Sequence, residues 1–386
     1  MIMNIFEEDK LYIANTYKRY DVCFVSGKGS KLTDNNGKSY IDFGSGIAVN
    51  SFGLSNPVWE KAVKNQISAL SHVSNLYYSE PAVELAKLLT AKADMKKVFL
   101  SNSGAEANEC AIKAARKYSY DKYGINRNEI ITLYDSFHGR TMAALSATGQ
   151  DNYHKFFNPF LDGFKYVAAN MKSMISELSE HTCAVMIELV QGEGGVNVLD
   201  KNFVKQLELI CNEKDILLIV DEVQTGNGRT GSMYCYQQYG IAPDIVTTAK
   251  GLGGGLPIGA TMFGEKTENT LSYGTHGSTF GANPICTAGA VAIVNMIDDK
   301  LLRNVSKKGK YIKKKLLGFD GIKSVSGMGL MIGAETVKPA GDVVQLALKK
   351  GLLVLTAKDK LRLLPALNIP LSVIDEGLQI LKEVLI

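Results

Sequence analysis

The sequence predicts an α/β fold, a mostly parallel sheet covered by helices on both faces, with a second, smaller α+β domain. Three observations predict it. Short, largely apolar runs recur at Lys97–Leu100, Glu129–Leu133, Cys183–Leu189, Ile216–Val220 and Asp244–Thr248. Strands buried on both faces read this way, without the alternation of a half-exposed sheet. Stretches with apolar residues at helical spacing separate these runs, as parallel connections require. After about residue 290 the texture changes to long helices followed by closely spaced short strands.

The elements follow in order. Asn56-Pro57 supplies a cap and a first-turn proline to a helix over Val58–Leu70. Ser79 is placed to cap a second helix over Pro81–Ala91. The strand Lys97–Leu100 ends in a Ser103-Gly104 turn that opens a helix over Ala107–Tyr118. A long helix, Asn202–Lys214, links Cys183–Leu189 to Ile216–Val220. Helices Pro284–Asp298 and Leu301–Leu317 lead into short strands around Ile322–Glu335 and Gly351–Leu355, and a last helix lies near Leu371–Leu385. The expected division is an N-terminal segment, residues 1–50, joining the small domain; a large domain, 51–290; and a C-terminal small domain, 291–386.

Composition excludes whole classes of function. The chain has 386 residues, 46% of them apolar, which rules out disorder and coiled coil as the main state. Lys plus Arg is 43 against 39 acids, so the net charge is only +4 and no basic run stands out. Neither a nucleic-acid nor a membrane-surface partner is implied. The N-terminus carries acids where a secretory signal needs a basic region, and no apolar run approaches membrane-spanning length. Six scattered cysteines form no CxxC pair, so free thiols in a reducing cytoplasm are expected and no metal site is. Glycine is the one excess, at 37 residues, against an average near ~7%.

Five places look like sites, and each has a plain alternative. Ser101-Asn102-Ser103-Gly104-Ala105-Glu106-Ala107-Asn108 joins a strand to a helix start, where free N–H groups suit a phosphate; it also reads as an ordinary capped loop. Ser136-Phe137-His138-Gly139-Arg140-Thr141 offers a ring for stacking and a fork for a carboxylate, or a core Phe and a surface Arg. Gln191-Gly192-Glu193-Gly194-Gly195 exposes a carboxylate in a mobile loop, or is a solvated glycine turn. Asp221, within Ile219–Gly226, ends a buried strand where α/β sheets place ligands; a cation is expected to face it unless solvent does. Lys250 follows a strand and precedes Gly251-Leu252-Gly253-Gly254-Gly255. Burial there would lower its amine toward nucleophilic use, or it is a loop lysine. Gly27-Lys28-Gly29-Ser30 lacks phosphate-loop spacing, and no GxSxG, HExxH or metal-spaced histidine pattern occurs.

Taken together, a Schiff-base lysine, a strand-end acid, a phosphate cup and a stacking ring describe one cofactor, pyridoxal 5'-phosphate. With Ile41-Asp42-Phe43-Gly44-Ser45-Gly46, Asn75-Leu76-Tyr77-Tyr78, His276-Gly277-Ser278-Thr279-Phe280-Gly281 and Leu361-Arg362-Leu363-Leu364-Pro365, the sequence resembles the class-III, ornithine-type aminotransferases nearly end to end. That resemblance implies an aspartate-aminotransferase-like fold with a seven-stranded sheet. It implies that Lys250 carries the cofactor as a covalent aldimine and moves the proton, and that Asp221 faces the ring nitrogen. Gln224 would bond the ring oxygen and Phe137 would stack. Gly104 and Ala105 would bind phosphate, with Glu222 and Val223 as further cofactor contacts. Thr279 would reach the phosphate of a neighbouring subunit and Ser278 the substrate there, which implies a homodimer.

The activity so implied is transfer of the δ-amine of N2-acetylornithine to 2-oxoglutarate, a step of arginine biosynthesis. The opening Asn15–Tyr20 and Asn75–Tyr78 favour that donor. Ornithine, succinylornithine, 4-aminobutyrate or N-succinyl-diaminopimelate are the alternatives. Arg140 would hold the donor's carboxylate. Arg362 would hold the acceptor's second carboxylate, masked by Glu193 when the amine enters. The sequence departs from the family pattern at Gly53-Leu54-Ser55-Asn56-Pro57, at Leu189 where Pro is usual, and at Ala282 where Gly is usual. Those departures bear on loop shape.

Overall fold

Continuous apolar runs have buried themselves in the middle of a sheet. The strands Thr182–Ile187, Leu217–Asp221, Ile245–Thr248 and Gly259–Phe263 are buried at every residue. They belong to a seven-stranded sheet whose spatial order is Lys97–Ser101, Gly259–Phe263, Ile245–Thr248, Leu217–Asp221, Thr182–Ile187, Glu129–Leu133, Phe164–Val167. Neighbours are parallel except at Gly259–Phe263, which runs antiparallel to both strands beside it. The structure is a computed structural model and describes residues 4–386; the first three residues of the N-terminal segment lie outside the described residues.

The expected strands and helices are present with ends moved by a few residues. Two strands of the seven-stranded sheet lie outside the expected set. Gly259–Phe263 is short and begins Gly-Ala, so it carries little strand signal of its own; sheet pairing on both sides makes it one. Phe164–Val167 sits at the sheet edge and is only partly buried. The helix expected over Ala107–Tyr118 spans Gly104–Tyr123, because the Ser103 hydroxyl accepts the Glu106 N–H and starts it at once. Asn56 caps Pro57–Ala69 as its sequence suggests, through the amides of Val58 and Trp59. Ser79 stands at the expected cap of Glu80–Ala93, but its hydroxyl makes no cap bond and is buried without a partner.

Apart from this sheet, Phe24–Lys28, Lys31–Asp34 and Ser39–Asp42 form an antiparallel meander. Leu352–Leu353 adds to it in parallel, with Leu352 opposite Ile41. Ile322–Met328, Met331–Thr336, Lys360–Leu363 and Leu355–Ala357 make a further antiparallel sheet. Helices Asp299–Leu316, Ala340–Lys349 and Leu371–Leu385 supply Ile312, Val343 and Leu381 to an apolar cluster that also contains Ile41 and Phe43. Residues from the two ends of the chain thus share one core. The Phe43 carbonyl accepts the Leu364 N–H at 2.6 Å, which ties the strand carrying Arg362 to the N-terminal segment.

Candidate active site

A cavity of about 470 Å³ opens where the central strands end. Segments that follow four of the strands line it: Asn102 and Gly104 after Lys97–Ser101, Phe137 and Arg140 after Glu129–Leu133, Glu188 after Thr182–Ile187, Lys250 after Ile245–Thr248. Asp221 closes the strand Leu217–Asp221 and lines the same space. Ligands of open α/β sheets bind at this edge because the backbone there stops pairing and side chains converge.

Asp221 is 3% exposed and is held by three donors. Its Oδ2 accepts from Asn108 Nδ2 at 2.8 Å and contacts His138 Nδ1 at 2.8 Å; its Oδ1 accepts the Val223 N–H at 2.9 Å. The partner expected to be a cation is thus an imidazole with two neutral N–H groups. Burial works against the His138 imidazolium, yet the hydrogen bond and charge of Asp221 outweigh it and raise the ring above its usual range. His138 Nε2 is buried without a partner.

Lys250 takes a left-handed backbone (φ +45°), rare for a residue with a side chain, at the head of a single tight turn. Desolvation pulls its ammonium below the usual lysine range, against the acids Glu193, Asp221 and Glu188. Gly104 and Ala105 occupy the first two positions of their helix, where backbone N–H groups have no partner within it. A Cβ on Gly104 would meet Val223 Cγ1 at 2.6 Å, so that backbone lies directly on the residue after Glu222.

Arg362 is 3% exposed and takes Glu193 in a forked pair, Nη1 to Oε1 at 2.5 Å and Nη2 to Oε2 at 3.1 Å. Nη1 also donates to Gln224 Oε1 at 3.2 Å. Burial alone would raise the Glu193 carboxyl; the charge and hydrogen bonds of Arg362 hold it below the usual range. The pair is not part of the cavity wall. It lies immediately behind Gln224, which is. The loop carrying Glu193 is packed, not solvated: Gly192, Gly194 and Gly195 are buried, and a Cβ on Gly192 would strike the Gln224 amide at 2.3 Å.

The structure therefore brings Lys250, Asp221, Gly104, Ala105, Phe137, Val223, Gln224 and Arg140 to one cavity. Glu222 corrects the expectation: its carboxylate faces the interior, accepting from the Thr225 hydroxyl and the Tyr236 N–H, and burial pushes it up to about 7. Ser278 and Thr279 line a separate, open groove of about 930 Å³ with His72, Asn75 and Tyr273. Asn108, His138 and Glu188 were not singled out for a role. Glu188 had a readable signal, since it follows a buried strand just as Asp221 does. Val220 pairs with Ile187, so the next residues, Asp221 and Glu188, end neighbouring strands side by side. Burial, with Asp221 adding to it, pushes Glu188 up to about 8. Its Oε2 accepts the Phe137 N–H at 2.8 Å.

A desolvated lysine amine, a buried strand-end acid and a helix start with free N–H groups in one cavity suit covalent work on a phosphorylated carbonyl cofactor. The class-III aminotransferase family model matches residues 12–385, and the chain belongs to that family. It is 49% identical over 381 residues to an acetylornithine aminotransferase of Haemophilus ducreyi, covering 98% of this chain and 97% of that one. It is 45% identical over 365 residues to a succinylornithine transaminase of Photorhabdus laumondii, covering 92% and 91%. Among solved structures, an ornithine aminotransferase of Toxoplasma gondii with partial occupancy of PLP at its active site superposes with a TM-score of 0.93 at 30% identity, covering 98% of this chain and 93% of that one.

Proposed function

We infer that the protein transfers the δ-amine of N2-acetylornithine to 2-oxoglutarate, giving N-acetylglutamate 5-semialdehyde and glutamate, with pyridoxal 5'-phosphate as cofactor, as a step of arginine biosynthesis. One observation carries the substrate reading. The site has two arginines in opposite states: Arg362 is neutralised by Glu193, while Arg140 lines the cavity with no carboxylate partner among the described residues. A donor whose carboxylate lies far from its reacting amine needs the free one. A dicarboxylate acceptor needs both, which requires Glu193 to move aside.

The residues present fit the cofactor. When bound, it supplies a conjugated ring that withdraws electrons from the carbon bearing the substrate amine. Lys250 Nζ, whose ammonium burial pulls below the usual lysine range, would be the group to bond the cofactor's carbonyl carbon and to carry the proton between carbons. Asp221, with its three donors, would face the ring nitrogen and keep a proton there. The amides of Gly104 and Ala105 would take the phosphate, Phe137 would lie against the ring, and Val223 and Gln224 would form its other wall.

The same reading makes the protein a homodimer in which Ser278 and Thr279 serve the partner's cavity. Their place on a groove separate from Lys250, beside the exposed Leu76 and Tyr273, supports it. A cytoplasmic setting is supported by six free cysteines, four of them buried. The division at residues 50 and 290 rests on the core that Ile41 and Phe43 share with the C-terminal helices.

Succinylornithine is the second reading, favoured by the 45% identity to the Photorhabdus protein. The test is single-turnover bleaching of the cofactor band by N2-acetylornithine, N2-succinylornithine, ornithine and 4-aminobutyrate. N2-acetylornithine should react with the highest kcat/KM. A higher value for succinylornithine selects the second reading, and a higher value for ornithine or 4-aminobutyrate overturns both.

A further inference from the structure

Arg140 is exposed, yet it is not loose. Its guanidinium carbon sits 4.0 Å above the centre of the Tyr153 ring and 5.7 Å from that of Phe137. The two rings meet edge to face, 5.5 Å apart at 69°. The backbone beneath is also fixed. Glu109, from the helix Gly104–Tyr123, accepts from the Thr141 hydroxyl at 2.5 Å and from the Ala143 and Ala144 amides at 3.1 and 3.3 Å.

A guanidinium stacked on a ring spends its face on the stack and keeps its N–H groups in the plane, directed outward. A carboxylate approaches in that same plane, by two parallel hydrogen bonds. A free arginine would lose much rotamer freedom on binding; one already held against a ring loses less. We propose that Tyr153 is a specificity-determining positioning residue, whose ring presents the Arg140 fork to the distal carboxylate of the amine donor. This rests on the reading of Arg140 as the carboxylate clamp. Tyr153 touches neither the reacting amine nor Lys250 in this scheme. Its effect is to favour donors that carry a carboxylate over otherwise identical amines that lack one.

The test uses the cofactor-loaded enzyme and two donors, N2-acetylornithine and N-(4-aminobutyl)acetamide, which is the same molecule without the carboxylate. The readout is the ratio of their kcat/KM values. Tyr153→Leu should lower the ratio about three- to tenfold, carried by KM of the carboxylate donor, while Tyr153→Phe, which keeps the ring, stays within about twofold of wild type. Tyr153→Met, of similar bulk without a ring face, reads the same ratio if the leucine variant melts early. An unchanged ratio in the Leu and Met variants overturns the proposal, as does an equal fall in the Phe variant. Arg140→Gln separates the two ideas. If it leaves the ratio intact, the clamp reading itself fails; if it abolishes the preference while Tyr153→Leu keeps it, only the role of Tyr153 fails.

Discussion

Glu193 closes on Arg362 with both carboxylate oxygens, across 169 residues of sequence, and Gln224 completes the contact from the cavity side. A buried arginine so neutralised presents no free charge to the amine half of a substrate. Releasing it means breaking two charge-assisted hydrogen bonds, which, under the proposed function, the second carboxylate of 2-oxoglutarate would replace.

Glu193→Gln keeps the shape and removes the charge. KM for 2-oxoglutarate should fall several-fold, and the half-reaction with N2-acetylornithine should slow by about tenfold, corresponding to ~1.4 kcal/mol. Stopped-flow measurement of each half-reaction decides it. If neither half-reaction changes, Glu193 is not a switch.

Under the proposed function, Lys250→Ala removes the group that would bond the cofactor and move the proton. Turnover should drop by at least about a thousandfold, in line with the loss of general acid–base work together with covalent catalysis. The visible absorption band of the bound cofactor should shift to that of the free aldehyde. A variant that keeps the wild-type band would assign the covalent role elsewhere.

Glu222 predicts a pH dependence of stability. Its carboxyl is raised from 4.5 to about 7 by burial, opposed by the Thr225 hydroxyl and the Tyr236 amide. A folded-state value above the unfolded one means the stabilisation is complete below about 4.5 and is lost as pH rises through about 7. At ~1.4 kcal/mol per unit, the loss is on the order of 3 kcal/mol. Glu222→Gln should therefore flatten the fall in melting temperature across that interval. Parallel curves for variant and wild type would contradict it.

Ala282 tests the departure from glycine at its position. Its φ is +61°, in the left-handed region that disfavours a Cβ. Glycine relieves that strain but adds unfolded-state freedom, so Ala282→Gly should stabilise by only about 0.5–1 kcal/mol. Chemical denaturation midpoints check it; a destabilised variant would show that the methyl group makes compensating contacts.

Much of the fold was readable because its signals are local. Asn56-Pro57 marks a helix start through neighbouring amides, and Ile216–Val220 marks a buried strand by composition alone. Gly259–Phe263 was not readable, since its strand character comes from Lys97–Ser101 and Ile245–Thr248 on either side. The site divides in the same way. Asp221 and Lys250 stood out as polar residues after apolar runs. Glu222, their equal in sequence prominence, turned out to face the interior, because adjacent residues at a strand end point to opposite sides.

Sequence by itself determined most of the helices and of the buried central strands, where the strand-end chemistry lies, and the family to which the chain belongs. Tertiary structure alone decided that His138 meets Asp221 and that Arg140 lies on the ring of Tyr153, and it closed the Glu193–Arg362 pair that the family resemblance had implied. The physical reason is range. Caps and hydrophobic periodicity act between residues a turn apart. An ion pair inside a protein depends on strand order and on which neighbours exclude water, and both exist only after the sheet has assembled.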